Sequence, residues 1–219
     1  MMTHSPAASQ SAILAALQWR YAVKIFDPTR RVASEDLHTI LESGRLAPSS
    51  YGVEPWKFLV IENQELRRQL RAVAYDQPKV TDAAHLIVIA RRTDVRARIA
   101  AELAERTARA QGRPPEALAG LQQMVDEDIT RRSNAEVDAW ARAQTYLPLG
   151  IMVMTAALLG VDAGPMEGFT LEKVDAILHL SERHLAATTM LALGYRGDDP
   201  AAERPKVRRT FAEAVEFLP

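Results

Sequence analysis

The chain has no cysteine among its 219 residues. That excludes disulfides, thiolate-ligated metal sites and a thiol nucleophile, and it fits a reducing compartment. Neither sign of charge is in excess. The formal net charge of −1 gives no electrostatic footprint for a nucleic-acid partner. Long hydrophobic runs are missing too. The most apolar stretch, 147–159, is shorter than the roughly 20 residues that a bilayer-spanning helix needs. The opening MMTHSPAASQ carries no apolar signal-peptide core. The expectation is a soluble, cytoplasmic protein, without a membrane partner, whose residues 1–10 form a flexible tail.

Catalytic signatures are equally scarce. There is no G-x-G-x-x-G or G-x-x-x-x-G-K-[ST] phosphate loop, no H-E-x-x-H helix and no G-x-S-x-G elbow. The five histidines (His4, His38, His85, His179, His184) form no ligand pattern, so no metal is expected. His85 opens an apolar strand and reads as a core histidine. Carboxylates fall mostly on helix faces expected to be exposed. Side chains alone supply no visible acid, base or nucleophile.

Hydrophobic residues at 47% and charged residues at 25% describe an ordinary globular chain. One domain over 11–219 is expected. Helical spacing appears after a Ser11 cap to Trp19, from Ser34 through Leu37, Ile40, Leu41 and Leu46, over 64–74, and over 171–178. The Ala-, Arg- and Glu-rich segment 94–143 reads as two helices broken at 111–115, an excursion or lid. Residues 143–160 are apolar nearly all round and need burial by other elements or a second subunit. Strands are expected over 56–61, 85–90 and 184–193. Residues 75–83 read as a polar loop and 161–169 as a turn-rich segment. Few strands far apart among many helices make an α+β domain around a modest sheet.

What remains is a set of separated cations and small-residue loops. Arg20 and Lys24 share one face if their segment is extended, and so do Lys206 and Arg208. Cations paired in this way can hold a phosphate. A solvated edge with ordinary surface charge fits the same spacing. The loop 47–52 brings Ser49 and Ser50 to the mouth of a strand, where they can hold a polar ligand or merely satisfy a turn. With Lys79 and the stretch 164–168, this set suits a phosphorylated, planar cofactor. Such a cofactor would carry the reaction for which side-chain machinery is missing.

These segments, in this order, resemble the FMN-dependent nitroreductase family from about residue 11 to the C-terminus. The matching stretches are Arg20-Tyr-Ala-Val-Lys-Ile-Phe26, Ala47-Pro-Ser-Ser-Tyr-Gly-Val-Glu-Pro-Trp-Lys-Phe58 and Asp76-Gln-Pro-Lys-Val-Thr-Asp-Ala-Ala-His85. They continue with Gln144-Thr-Tyr-Leu147, Gly160-Val-Asp-Ala-Gly-Pro-Met-Glu-Gly-Phe169 and Pro205-Lys-Val-Arg208. The resemblance implies a nitroreductase-like α+β fold: a central mixed β-sheet surrounded by helices, in an intertwined homodimer with FMN at the subunit interface. Carried over residue by residue, Arg20, Lys206 and Arg208 match phosphate-binding cations. Ser49 and Ser50 line the flavin, and Gln144 is a polar contact beside it. Lys24 and Lys79 lie near flavin N1 and O2. Pro165, Met166, Glu167 and Gly168 cover one ring face, with a backbone N–H toward N5. Three positions depart from the family pattern. Tyr21-Ala22 replaces a His-Ser or similar pair and loses a hydroxyl contact. Asp76 stands where Asn is frequent, and an ionised carboxylate can accept from flavin N3–H but not donate. Glu54 stands where Gln is common.

The implied activity is an NAD(P)H oxidoreductase. Hydride passes from NADH or NADPH to flavin N5, then two electrons pass to a nitroaromatic, quinone or related small-molecule acceptor at the same site, a ping-pong cycle. Relatives reduce flavins, pteridines, enones or aldehydes, and a flavin-binding module with little turnover is a further class. No ribose-reading motif separates NADH from NADPH. Acceptor choice is expected in the lid, 94–143. A cation at about 4 Å in an effective dielectric near 20 contributes roughly 4 kcal/mol before desolvation. At about 30 mV per 1.4 kcal/mol, that raises the potential of a reduced, anionic flavin by up to roughly 90 mV.

Overall fold

The computed structural model describes residues 9–218. The expected tail, 1–10, lies outside the described residues except at its end, and that end is ordered. Helix α1 runs Gln10–Trp19, capped by Ser9 rather than Ser11: the Ser9 hydroxyl accepts the Ala12 N–H at 3.2 Å. Among its residues only Ala16 is buried; Ile13, Leu14 and Leu17 are bare.

Helix α2 (Ser34–Arg45) carries Glu35 and Asp36 in its first turn, where the helix dipole favours negative charge. Strand β1 (Trp56–Ile61) follows, then α3 (Gln64–Val73), whose Asn63 cap accepts the Leu66 N–H. The expected polar loop 75–83 contains a helical turn, α4 (Lys79–Asp82). Pro78, at φ −56°, already has helical geometry and starts it. Strand β2 (His85–Arg92) leads to α5 (Val95–Gln111), which Gly112 ends at φ 61°. Then come α6 (Ala119–Arg131) and α7 (Asn134–Leu158). The excursion 94–143 therefore holds two helices and the first part of a third. The core helix starts nine residues before 143, at Asn134, because Ser133 and Glu136 form a reciprocal capping box there.

The turn-rich reading of 161–169 is also corrected. Asp162–Met166 is strand β3, and its Pro165 is tolerated because β3 lies at the edge of the sheet. Helix α8 (Leu171–Ile177), strand β4 (Leu185–Gly194) and the short α9 (Phe211–Ala214) complete the chain.

The sheet order is β1-β2-β4-β3, and all three pairings are antiparallel. The expected mixed sheet is thus corrected to an antiparallel one among the described residues. Each neighbouring pair runs in opposite senses, so no parallel crossover is formed. β2 and β4 are central. Leu86, Val88 and Ala90 face α3 and α8, whereas Ile87 and Ile89 face α2 and α7. Covering both faces explains the unbroken apolar run of β2. A separate cluster joins α5, α6 and the start of α7 around Val53.

The two outer edges of the sheet differ. That of β3 is met by the segment after α1, where Val23 N–H donates to Ala163 O at 3.3 Å; farther along, Phe26 bridges Arg196, just beyond the end of β4. Close approach there requires glycine, since a Cβ on Gly164 would sit 2.7 Å from Val23 O. The outer edge of β1 has no strand partner among the described residues.

Gly164→Ala should therefore push this segment off β3. The expected destabilisation is about 1–3 kcal/mol, read as a fall in Tm of several degrees. A melting temperature within one degree of the parent would refute the close-packing account.

Candidate functional site

The segment 20–25 is fixed by one carboxylate. Buried Asp199 accepts the Lys24 N–H at 2.9 Å, the Ile25 N–H at 3.3 Å and the Tyr21 hydroxyl at 3.1 Å. Burial works against its charge, but these donors and the Ala201 N–H outweigh that and hold the carboxyl below its ordinary range. The Tyr21 phenol is pushed up to about 12 by burial and by its bond to Asp199. Ala22, between them, is exposed and offers no polar contact.

This anchoring gathers cations. Arg20 caps α1, and its Nε is buried without a hydrogen-bond partner. Burial and the nearby Arg208 guanidinium both lower the Arg20 pKa. Lys206 reaches back to the Gln18 carbonyl. Its pKa is lowered by desolvation and by Arg20, Arg208 and Arg196. Arg196 is forked onto Asp162, at 2.5 Å for the closest contact, and stacks on Trp19 and Tyr21. Arg20, Lys206 and Arg208 have no carboxylate within ion-pair distance among the described residues.

A second pair of cations lies along the same edge. Lys79, on α4, is 7% exposed, and burial followed by the charge of Lys24 lowers its pKa. Its stem passes 3.5 Å from the Cβ position of Gly164, so Lys79, Lys24 and β3 converge. Pro165 and Met166 finish β3. The Glu167 carboxylate accepts the Tyr146 hydroxyl and lies 3.8 Å from Arg142. Gly168 O accepts the Gln77 amide at 2.8 Å. Asp76, at φ 52°, is exposed and pairs with Arg71 at 2.7 Å.

Ser49, Ser50 and Gln144 form a separate group. Gln144 Oε1 accepts the Ser50 N–H at 2.8 Å, and Ser49 Oγ accepts the Glu54 N–H at 2.8 Å. At about 100° per residue, Gln144 and Tyr146 point about 160° apart around α7. The serine group and the Glu167 stretch therefore lie on opposite flanks of this helix. The structure brings the expected residues together as two sets, not one. Asp199, Gln77, Tyr146 and Arg196 were not singled out from the sequence; only tertiary contacts give them roles. Among the described residues no cluster of three or more metal-ligating side chains occurs, and no helix is long and apolar enough to cross a membrane.

The sequence pattern of the Nitroreductase family matches residues 17–195. The chain belongs to the nitroreductase family. A Staphylococcus haemolyticus protein, provisionally named an NAD(P)H nitroreductase, is 36% identical over 95% of this chain and 98% of its own length. The structure of a Bacillus subtilis protein, provisionally named a nitroreductase, superposes with a TM-score of 0.85 at 21% identity, covering 96% of this chain and all of that one. An Exiguobacterium sibiricum protein, also provisionally named a nitroreductase and solved in complex with FMN, superposes with a TM-score of 0.80 at 20% identity, covering 99% of this chain and all of that one.

Asp199→Ala should cost at least about 2 kcal/mol, because it strands buried N–H groups, whereas Asp199→Asn should cost less. The folded Tyr21 phenol keeps its proton to higher pH than the unfolded one. Its contribution is full below pH 10 and lost as pH rises from 10 toward about 12. Tyr21→Phe should flatten that part of the stability profile in chemical denaturation. An unchanged alkaline slope would remove the bond to Asp199 from the account.

Proposed function

We propose that this nitroreductase-family chain is an FMN-dependent NAD(P)H oxidoreductase that reduces nitroaromatic, quinone or related acceptors. The observation that carries this reading is the group of cations held together without an anion among them: Arg20, Lys206 and Arg208, with the Arg20 Nε buried and unpartnered. Like charges repel, and the partly buried Arg20 guanidinium has lost hydration, so this arrangement favours a bound polyanion of the phosphate type. Lys79 and Lys24, also close and of like charge, suit the anionic edge of a reduced flavin.

The residues present fit flavin mononucleotide. Arg20, Lys206 and Arg208 would hold its phosphate, and Lys24 and Lys79 its pyrimidine edge beside Asp76. Pro165 to Gly168 would cover one ring face, with Gln77 and Tyr146 keeping that stretch in place. Tyr21 and Ala22 would line the approach to the phosphate. When bound, the flavin would supply two-electron transfer between NAD(P)H and the acceptor in a ping-pong cycle. The chain's own part is to bind, orient and tune, and no side chain is assigned as an essential acid or base.

The reading includes a homodimer. A bare stripe runs along α7 between its two flanks, through exposed Ala143, Leu147, Gly150 and Leu158. Apolar residues of α1 and the tail residues Val207, Phe211, Phe217 and Leu218 are uncovered as well. Packing α7 against its two-fold mate would cover the stripe and bring one subunit's Ser49, Ser50 and Gln144 beside the other's Glu167 stretch. Each cofactor site would then be completed at the subunit interface. The partner's extended C-terminal residues would have the free edge of β1 to occupy.

The first test is the absorbance spectrum of the purified protein before and after anaerobic NADH or NADPH. Flavin bands that bleach within seconds are expected, and the faster donor identifies the nicotinamide preference. A protein that stays colourless after FMN is added, or that holds flavin but resists both donors, would overturn the reductase reading. Arg20→Ala should weaken FMN binding about tenfold, as expected for one lost charge-assisted phosphate contact. Lys79→Met should lower the two-electron potential by up to roughly 90 mV, measured against a redox dye. An unmoved potential would place Lys79 away from the flavin.

A further inference from the structure

We propose that Arg106, on the α5 wall of the lid, is a positioning residue that clamps the Ser49–Ser50 loop in its cofactor-lining shape. The inference rests on the flavin reading proposed for this chain. Residues 49–54 hold a backbone that costs free energy to maintain: Tyr51 has φ 57°, Gly52 φ 75° and Glu54 φ 50°. Two of these are non-glycine residues in the left-handed region, which persists only when surrounding contacts over-determine it.

Arg106 supplies such contacts from a distant part of the chain. One guanidinium nitrogen donates to Glu54 Oε2 at 2.9 Å. The other donates to Gly52 O at 2.9 Å and to Val53 O at 3.4 Å. A single planar fork thus grips the side chain of one left-handed residue and the carbonyl of another. Lysine, with one nitrogen, cannot reproduce that geometry. At the other end of the loop, Ser49 Oγ accepts the Glu54 N–H, so Glu54 links the fork directly to the serines.

Packing does not make the clamp redundant. Val53 is buried, but Val53 and Glu54 border an open cleft of about 590 Å³ that is also lined by Trp56, Arg92 and Arg106. Without the fork the loop has room to relax into that space, carrying Ser49 and Ser50 away from Gln144. The same fork ties the lid to the cofactor loop, so a displacement of α5 would be felt where the flavin is lined.

The test uses the full chain with Arg106→Ala, Arg106→Lys and Glu54→Gln. Three quantities are measured: the FMN Kd by flavin fluorescence, the visible circular dichroism of bound flavin, and the melting temperature of the FMN-free protein. Arg106→Ala should raise the FMN Kd about tenfold and alter the visible dichroism, as expected for loss of a charge-assisted contact. Arg106→Lys should recover only part of both, and Glu54→Gln should shift both in the same direction by less. If the parent binds FMN and Arg106→Ala leaves Kd and dichroism unchanged, the clamp is overturned while the flavin reading stands. A lowered melting temperature with parental dichroism would mean support of the fold alone and would also overturn it. Should Arg106→Ala fail to fold, Glu54→Gln decides by the same two readouts. A parent that binds no FMN removes both readings.

Discussion

The docking of residues 20–26 on the outer edge of β3 is the constraint on which the candidate site depends. This segment has no partner strand of its own and is held by scattered contacts: Val23 to Ala163, Asp27 to Tyr195 and Gly197 to Ile25 through the backbone, and Asp199 beneath residues 21–25. Gly164 and Gly194 make room, since a Cβ on either would collide with Val23 O or the Phe26 ring. From that docking come the place of Arg20 at the end of α1 and of Lys24 beside Lys79. The buried Arg67 guanidinium supports the far side by donating to the carbonyls of Ile61, Ala83 and Ala84, just after the turn that carries Lys79.

Electrostatics turns this scaffold into a site. Several arginines outside the site are paired with carboxylates: Arg92 with Asp94 and Glu102, Arg196 with Asp162, Arg132 with Asp128. The cations at 20, 24, 79, 206 and 208 form no such pairs among the described residues, and desolvation, followed by their proximity, lowers the affinity of Arg20, Lys79 and Lys206 for protons. Leaving these cations together concentrates positive potential along one edge. A phosphate and a reduced ring would meet it at different points.

Helix α7 organises the other half. Its inner face, with Ala141, Thr145, Pro148, Met152 and Ala156, closes the core against α2 and the sheet. Its flanks carry Gln144 on one side and Arg142 with Tyr146 on the other, and its outer stripe is apolar and bare. One helix therefore serves as core, as site wall and as the surface proposed to meet a second subunit. Such a triple role accounts for its apolar character nearly all the way round.

Sequence alone was enough for the α+β class, for the three long strands and for most helices, because apolar periodicity and caps are local signals. The motifs around Arg20, Pro48, Pro165 and Lys206, which keep their order along the chain, are what put forward the residues of the candidate site. Among the features that escaped the sequence, three have a clear physical reason. Strand β3 was hidden because Gly164 and Pro165 look like turn residues, whereas only the sheet shows that they sit at an edge where close approach is needed. The true start of α7 was hidden by its polar first turns, although Ser133 and Glu136 had the spacing of a capping box. The all-antiparallel pairing depends on the direction in which each crossover returns, which no local pattern encodes. The contacts of Asp199, Gln77 and Arg106 were decided by tertiary structure alone. A carboxylate, amide or guanidinium becomes an anchor only when folding brings distant backbone groups within its reach, and that distance is not written in sequence spacing.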